Sequence, residues 1–293
     1  MKPIPDINPN RPPQFISLVV ILFLLVANAG SESVRYSLVS KEAVISRLKQ
    51  YKGDNKERET TLMHLFNAAG CGANLAEQKV KGSSLPNVIC TFPGSSERSI
   101  IVGAHFDHVP EGQGVVDNWS GASLLPSLYE AIKAQPRQHT YIFIGFTDEE
   151  EGEIGSHFYA KHMTKEQIAT TDAMVCMDTL GLAPTEIWAS HSDQRLTREI
   201  VYIAKLLNLP VSGVNVDQVG STDSEQFPRK IPRITLHSLT QETWNAGILH
   251  TAKDNFSAVK LEDYYDSYHL IAAYIAYLDE LDRSPASTPG ENH

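Results

Sequence analysis

Apolar positions recur along the chain at two spacings, and the change from one to the other separates the elements. Residues spaced three and four apart, Val44, Ile45, Leu48 and Tyr51 and then Leu62, Leu65, Phe66 and Ala69, predict two opening helices. Ser40 and Asp54 supply capping oxygens, Glu57 completes the pattern of a capping box after Asp54, and Gly70 is a natural stop. Runs dense in β-branched and aromatic residues predict buried strands at 87–92, 99–102, 141–146, 173–177 and 232–236, with a strand-like run at 186–189. Further helices are expected from about 117 onward, around 156–162, on the face marked by Leu196, Ile200, Ile203, Ala204 and Leu207, and over 261–281. Pro126 fits the first of these only in its first turn or at a kink. Residues 93–96 read as a turn and 211–220 as loop. Helices alternating with apolar strands indicate an α/β fold, a mostly parallel mixed sheet covered by helices on both faces, in a single domain.

Open α/β sheets bind ligands beyond the carboxyl ends of their strands, and there the chain concentrates polar residues. His105 and Asp107 follow one strand, and Asp117 opens the next helix. Glu149 and Glu150 lie in Thr147-Asp148-Glu149-Glu150-Glu151-Gly152-Glu153-Ile154-Gly155-Ser156 after another strand; Asp178 ends a fourth, and His250 lies in Leu249-His250-Thr251-Ala252-Lys253-Asp254-Asn255. Taken singly, each has a plain structural reading: a solvated acidic turn, a satisfied histidine, a turn-capping aspartate. Their recurrence at converging strand ends favours one site. Two imidazoles with three carboxylates and no thiolate suit zinc, with manganese or cobalt as substitutes. Five ligands exceed one tetrahedral site, and a bridging carboxylate would divide them between two ions about 3.5–4 Å apart. Glu149 and Glu150 could then serve separately as base and ligand.

The formal net charge of −10 over 293 residues argues against nucleic acid or an anionic membrane as partner. Lys2 and Arg11 precede the apolar run 15–26, and Ala27-Asn28-Ala29 follows it as a small-x-small cleavage site. The run is shorter than the roughly 20 residues of a membrane span, so residues 1–29 read as a secretory signal peptide. This leaves 30–283 as the catalytic domain and 284–293 as a disordered Ser/Pro/Gly tail, with a secreted or periplasmic product. An uncleaved leader would instead tether the domain to a membrane. Of Cys71, Cys90 and Cys176, the last sits in an apolar run; export would allow Cys71 and Cys90 to pair, with three unpaired thiols as the alternative.

In this order, Gly103-Ala104-His105-Phe106-Asp107-His108, Val116-Asp117-Asn118-Trp119-Ser120-Gly121, Glu149-Glu150-Glu151-Gly152-Glu153-Ile154-Gly155-Ser156, Met177-Asp178-Thr179-Leu180-Gly181 and His250-Thr251-Ala252-Lys253-Asp254 resemble the motifs of metallopeptidase family 28. The resemblance implies a zinc aminopeptidase, phosphorylase/hydrolase-like fold and a peptide substrate with a free N-terminus. It implies one zinc on His105, Asp117 and Asp178, a second on Asp117, Glu150 and His250, and Asp117 as the bridge. By the same resemblance Asp107 orients His105 and Glu149 is the general base. One departure stands out: where the family often carries Ser-Asp-His before a Phe, this chain has Thr222-Asp223-Ser224, which keeps the aspartate and loses the histidine. Asp223 is then a pocket-wall residue or a helix cap, and Trp119 and Trp244 are core or pocket residues.

Aminopeptidase action is the leading reading. Glutaminyl cyclase uses similar ligand types, but the short spacing from Glu150 to Gly155-Ser156 resembles the aminopeptidases. Carboxypeptidase or dipeptidase action needs a cation for the substrate carboxylate, and a non-catalytic binding protein on the same fold should have lost ligands or base, all of which are filled here.

Overall fold

The computed structural model describes residues 34–216 and 220–281; the expected signal peptide and tail lie outside them. Two helices lead in, α1 (Lys41–Leu48) and α2 (Asn55–Ala68). Ser40 caps the first through the amide of Ala43, and Asp54 caps the second through the amide of Glu57. Gly70 follows α2 with φ +89°, the left-handed conformation that ends a helix.

Among the described residues, the sheet has eight strands in the order β1-β2-β4-β3-β5-β8-β6-β7. They are β1 (Leu75–Gln78), β2 (Asn87–Phe92), β3 (Ser99–His105), β4 (Thr140–Phe146), β5 (Thr171–Met177), β6 (Thr185–Trp188), β7 (Val211–Val214) and β8 (Arg233–His237). The centre, β4-β3-β5-β8, is parallel, as is β6 with β7; β1–β2, β2–β4 and β6–β8 are antiparallel. Side chains alternate between two cores with the two-residue period of a strand. Ile100, Val102, Tyr141, Phe143, Val175 and Ile234 join the larger core, with residues of α1, α2, α3 (Ser120–Lys133), α6 (Gln194–Leu207) and α8 (Leu261–Leu281). Ile101, Ile144, Phe146, Met174 and Cys176 face the smaller one, with Ala160 of α4 (Ile154–Lys161), Phe227 and Ile231. Two short helices, α5 (Lys165–Thr170) and α7 (Gln241–Asn245), complete the set. Cys71 and Cys90 form a disulfide that ties the end of α2 to β2, and Cys176 is a buried free thiol.

Two local expectations change. Part of the stretch read as loop is the edge strand β7, which pairs in parallel with β6 although Ser212 and Gly213 are exposed; backbone pairing, not an apolar pattern, makes it a strand. Pro126 lies in the interior of α3, beyond its first turn, and the helix runs through it. An interior proline costs about 3 kcal/mol, and α3, buried on nearly every side chain, has packing to offset that. Gly155 permits a close approach after β4, since a Cβ there would meet the carbonyl oxygen of Thr147 at 2.4 Å. The turn itself is made by Gly152 at φ +100° and by Glu153 at φ +51°.

Candidate metal centre

Parallel strand order brings the candidate residues together. His105 is the last residue of β3 and pairs in register with Phe146 at the end of β4, so the imidazole lies beside the acidic turn that follows β4. β5 flanks β3 on its other side and delivers Asp178 one residue past its end. Asp117 comes from a π-type turn over Val115–Trp119, in which the Asp117–Asn118 peptide is cis. That turn is held at both ends. Asp254 accepts the amides of Val116 at 2.7 Å and Asp117 at 3.1 Å. The Asn118 side chain accepts from Gly121 and Thr179 amides and donates to the Met177 carbonyl oxygen. His250, at φ +56°, reaches in from the loop after α7.

Within the centre, Asp117 stands between the two imidazoles. Its Oδ1 is 3.3 Å from His105 Nε2 and its Oδ2 is 3.2 Å from His250 Nε2. His105 Nε2 also faces Asp178 Oδ1 at 3.8 Å and Glu149 Oε2 at 3.9 Å, while His250 Nε2 is 3.0 Å from Glu150 Oε2. Asp107 has a broader part than orienting one ring. Its Oδ1 accepts the amide of Glu149 at 3.1 Å and its Oδ2 that of Glu150 at 3.2 Å, and the carboxylate lies 3.5 Å from His105 Nδ1. Thr222 and Thr179 donate their hydroxyls to Asp178 at 2.9 Å and 3.1 Å.

The electrostatics are those of a cluster short of positive charge. Burial, with the charges of Asp178, Asp223 and Asp117 added, pushes Glu149 up to about 10 against the opposing pull of His105. Burial and the Asp117 charge push Glu150 up to about 7. Desolvation would lower His105, but Glu149, Asp107, Asp117 and Asp178 together hold it well above its ordinary value. The hydrogen bond to Asp117 leads in raising His250 to about 9. Two buried atoms in the middle, His105 Nε2 and Glu150 Oε1, have no hydrogen-bond partner. His105, Glu149 and Asp178, and likewise His105, Asp117 and Glu150, offer ligand atoms within 4.8 Å of one another. Oxygen and imidazole donors, orphaned atoms and uncompensated charge all fit divalent cations.

Next to this cluster lies a cavity of about 360 Å³, lined by Asp117, Glu149, Glu150, Asp178 and His250 on the side of the centre. Trp188, Val216, Leu239, Trp244 and Leu249 form apolar wall, and Glu153 and His237 add polar groups. Among the described residues, no lysine or arginine lines it. Arg233 spends its guanidinium on the carbonyl oxygens of Ser224, Glu225 and Phe227.

All seven residues singled out from the sequence thus meet in one place. Trp119 is core, with its indole N–H on the Arg47 carbonyl oxygen, whereas Trp244 lines the cavity at 43% exposure. Asp223 is neither wall nor cap: it lies outside the lining, and the helical turn it opens takes no side-chain cap. Its carboxyl oxygens are buried without a hydrogen-bond partner, and the Ser156 hydroxyl near it points to the Glu153 carbonyl oxygen. The sequence reading missed the supporting roles of Asp254, Asn118, Thr179 and Thr222. The first three stand inside the quoted motifs, so their neighbours were the available signal.

The profile of Peptidase family M28 matches residues 87–275. Aminopeptidase YwaD of Bacillus subtilis is 32% identical over 82 residues, 28% of this chain, and the match spans only 18% of that relative's length. The fold is shared with the LapA aminopeptidase of Legionella pneumophila at a TM-score of 0.66 and 19% identity, covering 85% of this chain and 78% of that one. It is shared equally with the glutaminyl cyclase of Porphyromonas gingivalis, at a TM-score of 0.63 and 16% identity, covering 81% and 96%.

Proposed function

Since the chain belongs to peptidase family M28, we propose that it is an exported di-zinc aminopeptidase that removes residues from the free N-terminus of peptides. The observation that carries the reading is the pair of facing oxygens on Asp117, one toward His105 and the other toward His250, which suits a carboxylate shared by two ions. On this reading His105, Asp117 and Asp178 hold one zinc and Asp117, Glu150 and His250 the other. Bound zinc supplies Lewis-acid polarisation of the scissile carbonyl and makes water more acidic.

The remaining work falls to the protein. Glu149, partly exposed beside the ligands, takes a proton from the attacking water and returns it to the leaving amine. Asp107 keeps Glu149 and Glu150 in register by gripping both their amides, so that base and ligand point to the same place. The cavity wall receives the N-terminal side chain, and the surrounding carboxylates attract the substrate ammonium group. A lining with acids and, among the described residues, without lysine or arginine supports amino- over carboxypeptidase action. The leader read from the sequence and the Cys71–Cys90 disulfide both support an oxidising compartment.

A panel of aminoacyl chromogenic substrates, Gln-initiated peptides and N-blocked peptides, with and without chelator, tests the proposal. Chelator-sensitive cleavage of free but not blocked N-termini is expected, with two zinc ions per chain at saturation. Pyroglutamate formed from the Gln peptide on a single zinc would replace peptidase by cyclase.

A further inference from the structure

Beside the metal centre, one buried histidine lacks a partner for half of its ring. His237 ends β8, one residue beyond Leu236, which pairs with Met177 of β5. The histidine therefore sits alongside Asp178 at the strand edge and forms part of the cavity lining. Its tautomer is settled by the backbone: Leu239 N–H donates to Nδ1 at 2.9 Å, so the proton is on Nε2. With Nδ1 taken up as an acceptor and the residue 2% exposed, the imidazole is neutral. The Nε2–H is then a donor buried without an acceptor. Such a group costs free energy until something supplies the acceptor.

What could supply it follows from the rest of the lining. Trp188, edge-on to the His237 ring at 6.4 Å between centroids, and Trp244, Leu239 and Leu249 offer an apolar sleeve for an aliphatic stem. Thr235, the other polar residue on this strand end, already shares a hydrogen bond with the Ser224 hydroxyl. An anionic side chain would meet Glu153, a carboxylate outside the proposed ligand set, and would find no lysine or arginine to pair with among the described lining residues. We propose that His237 is a specificity-determining residue that donates Nε2–H to a neutral side-chain acceptor, so that the enzyme prefers N-terminal glutamine or asparagine over apolar residues of like size. The occupant's identity as an N-terminal residue rests on the aminopeptidase reading.

Two measurements on the zinc-loaded chain separate this proposal from that reading. The first is kcat/KM for Gln-, norleucyl- and Glu-anilides, with the product identified by mass. The second is calorimetric binding of L-glutamine amide and L-norleucine amide, which needs no turnover. Glutamine is expected to exceed norleucine by roughly 10-fold or more in both, with Glu slower than Gln. In His237→Phe the Gln-to-norleucine ratio should fall to near one or invert. A wild-type ratio at or below one overturns the proposal without any variant, and so does an unchanged ratio in a His237→Phe chain that keeps its melting temperature. Preferential binding of glutamine amide without hydrolysis of any substrate would leave His237 its role and remove the aminopeptidase reading.

Discussion

Asp254 holds Asp117 in place from 137 residues away, its Oδ2 accepting the Asp117 amide at 3.1 Å while its Oδ1 takes the neighbouring Val116 amide. The candidate bridging ligand is thus set by a residue that touches no proposed ion. Replacing Asp254 by Ala should leave two buried amides unpaired, costing about 1–3 kcal/mol, and should weaken zinc binding by about 10–100-fold. Competition titration against a zinc indicator reads the second effect and urea denaturation the first. Native zinc affinity in Asp254→Ala would sever the link drawn here.

Glu149 and Glu150 are adjacent and both only partly exposed, yet opposite outcomes are expected on replacing them. Glu149→Gln should lower kcat by about 10²–10⁴-fold with zinc content and melting temperature kept. Glu150→Gln should lose zinc first and activity as a consequence. Metal analysis beside steady-state kinetics distinguishes the two, and full turnover by Glu149→Gln would remove it as the base.

Without metal, the cluster should make stability depend on pH in a definite direction. His105, His250, Glu149 and Glu150 all have raised values, so the folded chain holds more protons than the unfolded one. The share from His250 is present below 6.5 and lost as pH rises toward about 9. Glu150 stays neutral in the fold until about 7 while ionising near 4.5 when unfolded, so it too disfavours the fold as pH rises. The chelated chain should therefore melt at falling temperature from about pH 6 to about pH 9, and zinc, taking the place of the protons, should flatten the curve. A chelated chain whose melting point rises across that range would contradict the assigned shifts.

The disulfide links residues 19 apart in sequence. Closing a loop of that length in the unfolded chain stabilises the fold by about 3 kcal/mol in the chain-entropy account. Cys71→Ala with Cys90→Ala should lose about that much in urea denaturation, with kcat close to native because neither cysteine lines the cavity.

The central strands and long helices were legible because packing on two faces demands apolar runs of the right period: β2 and α8 coincide with the stretches read from the sequence, 87–92 and 261–281. β1 and β7 were not, since they lie at the sheet edges, where Ala76, Glu77, Ser212 and Gly213 face solvent and only backbone pairing makes the strand. The centre was legible for a related reason. Parallel strands end on one side, so a polar residue at each end already implies convergence. His237 gave no such sign, because its meaning depends on which ring nitrogen the Leu239 amide occupies, and no spacing encodes a tautomer.

The long reach from Asp254 to Asp117 also orders events during synthesis. His105, Asp117, Glu149, Glu150 and Asp178 emerge from the ribosome before His250 and Asp254, so the growing chain carries most of the ligands without the residue that fixes their centre or the second imidazole. A contact of that separation carries a large loop-closure cost and forms with the final fold rather than ahead of it. Assembly of the centre can then report that the whole domain has folded, and a chain cut short before residue 250 would lack the imidazole proposed for the second ion.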